Sequence, residues 1–151
     1  MAGSAKTDHR SQVLDEHRDL TARVSDLDEW VAPGAAKSAD WAAGLERRVG
    51  VVLEHLKMHF AGDAEGSLFA EVSMSAPHLS GRLTTLAAEH SQILKAFQQV
   101  AEGVKSVGDD EKAQARLALM TQAAVATLRR HEAEENEIIM RAFWEDLGAA
   151  D

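Results

Sequence analysis

Apolar residues return every three or four positions through four long stretches of this 151-residue chain, and in each stretch a histidine takes one of the apolar places. That spacing is helical, since a half-buried strand would alternate every second residue. The first stripe reads Val13, His17, Leu20, Val24, Leu27, Val31, and the second Trp41, Leu45, Val49, Val52, Leu56, His59, Asp63. The third reads Leu79, Leu83, Leu86, His90, Ile93, Phe97, Val100, Val104, Val107, and the fourth Leu117, Met120, Ala124, Leu128, His131, Glu135, Ile138, Ala142. Four amphipathic helices joined by short connections make antiparallel neighbours, so the expected fold is all-α, an up-down-up-down four-helix bundle.

Local signals set the expected boundaries. Thr7 or Asp8 caps a first helix running to about Trp30, and Ala32-Pro33-Gly34 stops it. Ser38 or Asp40 caps the second. Gly62 and Gly66 each weaken that helix by about 1 kcal/mol relative to alanine, so a bend or frayed turn is expected near Asp63. Pro77 suits the first turn of the third helix. Gly108-Asp109-Asp110 ends it and caps a fourth from about Glu111 to Leu147, with Gly148 as C-cap. Residues 1–151 read as a single domain, with 1–7 as a flexible leader.

Composition narrows the function classes. A net charge of -9 without a basic patch argues against nucleic acid or an anionic membrane as partner. Zero cysteines exclude disulfides, thiolate metal sites and iron–sulfur clusters. No apolar run has the length of a signal peptide core or a membrane span, so a soluble cytoplasmic protein is expected.

The polar residues on the stripes carry the chemistry. His131 and Glu135 lie four apart on one helix face, as do His59 and Asp63. A buried carboxylate beside a buried imidazole is costly, and a bound cation is the usual compensator. Counted inward from the pole where the second helix ends and the third begins, the four histidines lie roughly 15 to 24 Å deep. Asp63 and Glu135 fall at roughly 14 and 18 Å, so all six groups can share one layer. Four histidines placed at random would all land on the stripes in roughly 3% of cases, which favours a metal site over ordinary buried histidines. Four imidazoles and two carboxylates exceed the needs of one tetrahedral zinc and suit two borderline cations such as iron or manganese. A ferritin-like centre would show Glu-x-x-His, but Leu14, Leu56, Ala87 and Leu128 stand three before the histidines.

The order His17, His59-x-x-x-Asp63, His90, His131-x-x-x-Glu135 resembles the hemerythrin-like HHE cation-binding family over nearly the whole chain. The strings Met58-His59-Phe60-Ala61 and His131-Glu132-Ala133-Glu134-Glu135-Asn136 resemble a bacterial branch of it. The resemblance implies two non-haem iron ions with an oxo or hydroxo bridge. His17 and His59 would hold one iron, His90 and His131 the other, and Asp63 and Glu135 would bridge them. Open positions would take dioxygen, peroxide or nitric oxide. The sequence departs from the oxygen-carrying members in two places. Leu94 stands where they have a fifth histidine, leaving one iron short of a ligand. Asp63 replaces a longer glutamate, and Glu65 is the alternative if the glycine-flanked segment unwinds.

Three functions remain in play. The first is a di-iron protein that binds or senses dioxygen or a related small oxidant, with an electron donor not identified. An enzyme consuming peroxide or nitric oxide is the second, and a metal-free or zinc-holding helical interaction module the third. His55, one turn before His59, is either a further ligand, an outer donor or filler at the bundle edge. His9 and His78 read as solvated. Glu16, Glu89, Glu132 and Glu134 flank proposed ligands but point about 100° away from them, so surface charge is their default role and an outer bond to an imidazole nitrogen the lesser alternative. Met58, Met120 and Met140 read as core filler, and Trp30, Trp41 and Trp144 as seals of a pole or of a partner surface.

Overall fold

The computed structural model describes residues 2–34 and 40–149, and the side chains among them except 2–10, 63–65, 143 and 145–149. Every regular element is helical: α1 (Ala2–Trp30), α2 (Trp41–Ala61), α3 (Asp63–Ser75), a 3-10 turn at Pro77–Leu79, α4 (Ser80–Val104) and α5 (Glu111–Ala149). The expected second helix is therefore two. Gly62 adopts an extended conformation (φ -70, ψ 136), its N–H reaching His59 O at 3.3 Å. A Cβ there would crowd Met58 O at 3.1 Å, so the residue least suited to a helix sits where the helix breaks.

The other boundaries have equally local causes. Pro77, which has no N–H to give, opens the 3-10 turn that leads into α4. Gly108 turns the chain at φ +56, and Asp110 Oδ1 accepts the Lys112 N–H at 3.1 Å to cap α5. Two expected ends differ, and a third stands where expected without its capping bond. α1 already runs from Ala2, ahead of Thr7 and Asp8. Asp40 stands at the α2 N-cap without a side-chain capping bond, while Ser38 lies outside the described residues. α5 passes through Gly148 to Ala149.

Helix α1 packs on α2, α3 and α5, and α4 packs on α2 and α5. Among the described side chains the stripes face inward with one correction: Met120 is 44% exposed, and Thr121 is buried in its place. Thr121 can take a core position because its hydroxyl donates to Leu117 O at 2.8 Å, within its own helix. Met58 and Met140 are likewise exposed and are not core filler. At the far pole Gly44 lets the Trp30 ring lie against α2, Trp30 Nε1 donates to Trp41 O at 3.1 Å, and Arg48 covers the ring at 3.8 Å.

The core is divided. One apolar cluster joins Leu20, Leu27, Leu45, Leu56, Ile93, Phe97 and Leu128, and a second joins Val13, Leu68, Val72, Leu79, Leu86 and Ile138. On α1, α4 and α5 the histidines fall between residues of one cluster and residues of the other. Among the described residues no helix is long and apolar enough to cross a membrane.

Candidate metal centre

Helices α1, α2, α4 and α5 each turn one imidazole into the layer between the two clusters. His17, His59 and His131 are buried, His90 is half-buried, and Glu135 is wholly buried. His17, His59 and Glu135 form one group that could hold a cation, and His90, His131 and Glu135 form a second. Glu135 belongs to both. Its Oε1 lies 3.2 Å from His17 Nε2 and its Oε2 3.4 Å from His131 Nε2.

The outer nitrogens are fixed from behind. His59 Nδ1 donates to Glu16 Oε2, His131 Nδ1 to Glu89 Oε2 and His17 Nδ1 to Asn136 Oδ1, each at 2.8 Å. A carboxylate or amide oxygen can only accept, so each bond sets the proton on Nδ1 and turns the Nε2 lone pair inward. The consequence is an electrostatic problem. His17 Nε2 and His59 Nε2 face each other at 3.1 Å, and in the neutral rings both are lone pairs. Both Glu135 oxygens and His131 Nε2 are buried without an aligned hydrogen bond among the described residues. Atoms that converge as acceptors need a cation or shared protons between them.

Charge follows the same geometry. Burial pushes the Glu135 carboxyl up, but contacts with His131 and His17 outweigh it and hold the group at about 2. Burial alone would lower the His17 and His131 imidazoles, yet Glu135 raises both above the ordinary 6.5, helped by Asn136 at His17 and Glu89 at His131. Buried imidazole nitrogens and carboxylate oxygens suit a borderline divalent ion, and the orphaned acceptors fit one.

Five of the six expected ligands are brought together: His17, His59, His90 and His131 around the single carboxylate of Glu135. The side chains of Asp63 and Glu65 lie outside the described ones. His55 belongs to neither group, and instead lines a cavity of about 240 Å³ with Glu16, Asp19 and His59 between α1 and α2.

Several participants had surface charge as their default role in the sequence, or no role there at all. Glu16 and Glu89 are not solvated surface charges, because each reaches the histidine of the neighbouring helix rather than its own. Glu132 is buried rather than surface charge. Phe60 stacks on His90 at 3.9 Å between centroids with a 6° tilt, and meets His131 edge-on at 5.8 Å. The signal was present in a repeated Glu-His dipeptide. Glu16-His17 and Glu89-His90 stand at nearly equal distance before His59 and His131, the bonds spanning 43 and 42 residues.

A family model described as the hemerythrin HHE cation-binding domain matches residues 8–143. Comparison with curated proteins and with solved structures gives no match.

Proposed function

Because the chain belongs to the hemerythrin HHE cation-binding family, we propose that it is a single-domain, up-down-up-down four-helix di-iron protein that binds or senses dioxygen or a related small oxidant. In this reading α2 and α3 are two lengths of one broken bundle member. His17 and His59 hold one iron, His90 and His131 the other, and Glu135 joins them, with Asp63 or Glu65 as the second carboxylate. The observation that carries the reading is Glu135, whose two oxygens are divided between two histidine pairs. A one-cation site has no use for that division.

A pair of iron ions supplies two electrons to a bound small molecule and open positions at which to hold it. The chain supplies the rest. Glu16, Glu89 and Asn136 hold three imidazoles in the inward-facing tautomer, and the apolar clusters on either side keep water from the layer. Leu94 stands partly buried against the larger cluster where a further histidine would otherwise serve. That substitution favours a second reading, an enzyme consuming peroxide or nitric oxide at the open position.

Anaerobic ferrous reconstitution followed by elemental analysis and absorption spectroscopy tests the first reading. About two irons per chain and a visible band that changes on admission of oxygen are expected. A colourless, iron-free product would overturn it. Peroxide or nitric oxide consumption that disappears in His131→Ala would favour the second reading.

A further inference from the structure

Three imidazoles of the layer are held from behind, but not by the same kind of group. Glu16 stands behind His59, Glu89 behind His131 and Asn136 behind His17, each at 2.8 Å. An ionised carboxylate accepts whichever way it turns, whereas an amide carries an acceptor on one side and an N–H donor on the other. Half a turn about the Asn136 Cβ–Cγ bond puts Nδ2–H where Oδ1 was. Of these three rings, His17 is therefore the one whose proton can sit on either nitrogen.

The contacts in front of the ring give that freedom a use. His17 Nε2 lies 3.1 Å from His59 Nε2 and 3.2 Å from Glu135 Oε1. A hydrogen bond between two neutral imidazoles needs one donor, and His59 is not it, because Glu16 keeps the His59 proton on Nδ1. The donor is His17, with its proton on Nε2, directed at His59 and lying beside the Glu135 carboxylate. Its Nδ1 is then a lone pair 2.8 Å from Asn136, which the turned amide satisfies. A cation between His17 and His59 demands the reverse. Both Nε2 lone pairs must then face the ion, so His17 carries its proton on Nδ1 and Asn136 offers Oδ1.

We propose that Asn136 is a positioning residue that lets His17 exchange tautomers, so that the His17/His59 pair is satisfied without a cation and still presents two lone pairs to one. The ring keeps a single proton throughout. When the ion arrives, the Nε2 proton leaves to water and Nδ1 takes one up, while the amide turns to accept it. A carboxylate at position 136 would forbid the first arrangement, and an apolar side chain would support neither. The loaded arrangement rests on the two-cation reading above; the metal-free one stands on the three distances alone.

Heteronuclear NMR of the imidazole nitrogens in the full chain, at a pH where the rings are neutral, reads which nitrogen carries each proton. In the metal-free protein His17 should carry it on Nε2 and His59 on Nδ1. In the zinc-loaded protein both should carry it on Nδ1. Asn136→Asp, which can only accept, should hold the His17 proton on Nδ1 with and without zinc, and should bind zinc about 10-fold more tightly because the competing metal-free arrangement is lost. A His17 proton on Nδ1, or on both nitrogens, in the metal-free wild type overturns the proposal, as does a His17 tautomer indifferent to Asn136→Asp. A chain that takes up no zinc, cobalt or iron overturns the two-cation reading instead; an Nε2 proton on metal-free His17 would still uphold the role of Asn136.

Discussion

The imidazoles of this layer are constrained from two directions, and that makes single atoms decisive. Glu16→Gln and Glu89→Gln replace a charged acceptor by a weaker one that can also present N–H, so the ring behind which each stands loses its fixed tautomer. Metal affinity should fall about 10–100-fold in each, measured by competition with a chelator, with helix content unchanged. Wild-type affinity in both would show that the tautomer is set some other way. The metal-free protein should also carry a pH signature. His17 and His131 have raised values, so their contribution to stability is complete below the ordinary 6.5 and is lost as pH rises through the folded value. Glu135 is lowered, so its contribution is present above about 4.5 and is lost as pH falls toward about 2. The melting temperature of the metal-free chain should therefore be highest between about pH 4.5 and 6.5. A profile that stays flat from there into the alkaline range would contradict the His17–Glu135–His131 arrangement.

At the scale of helices, the 3.6-residue period made the stripes and the inward histidines legible, because burial selects side chains by face. What it could not reveal was the neighbour across the interface. A residue one step round from a ligand does point away from that ligand, as Glu16 does from His17, but it then faces the adjacent helix and binds His59 there. Phe60 on His90 was hidden for the same reason. The break at Gly62 was foreshadowed by two weak helix formers, whereas Met120 failed because Thr121 satisfied its own hydroxyl and took the stripe. Close approach is the other device invisible to periodicity. An alanine at Gly44 would place its Cβ 2.2 Å from the Trp30 ring, so the ring must leave its seat beneath Arg48. Gly44→Ala should cost roughly 1–3 kcal/mol, read as a fall of several degrees in melting temperature. An unchanged melting temperature would mean that the ring is not held there.

For the molecule as a whole, the polar layer divides the apolar interior in two. The larger cluster draws on α1, α2, α4 and α5, and the smaller on α3, the 3-10 turn and the ends of α1, α4 and α5 nearest them. A layer of unsatisfied acceptors between them weakens the coupling, since each buried polar group without a partner costs about 1–3 kcal/mol. In the metal-free chain, amide hydrogens of α3 and of α5 beyond Ile138 should exchange faster than those around Leu45 and Phe97. Loading should slow the fast set preferentially, because an ion bound only by the folded layer stabilises whatever depends on that layer. Equal exchange throughout would show that the two clusters open as one.

The interruption at Gly62 lies one turn from His59 and opens α3, which carries Leu68 and Val72 of the smaller cluster. If that region opens whenever the layer lacks its ions, the peptide bonds around Gly62 become the place where a protease can enter. Survival in a digest would then report whether a given molecule had acquired its cargo, and an empty chain would be cleared ahead of a filled one.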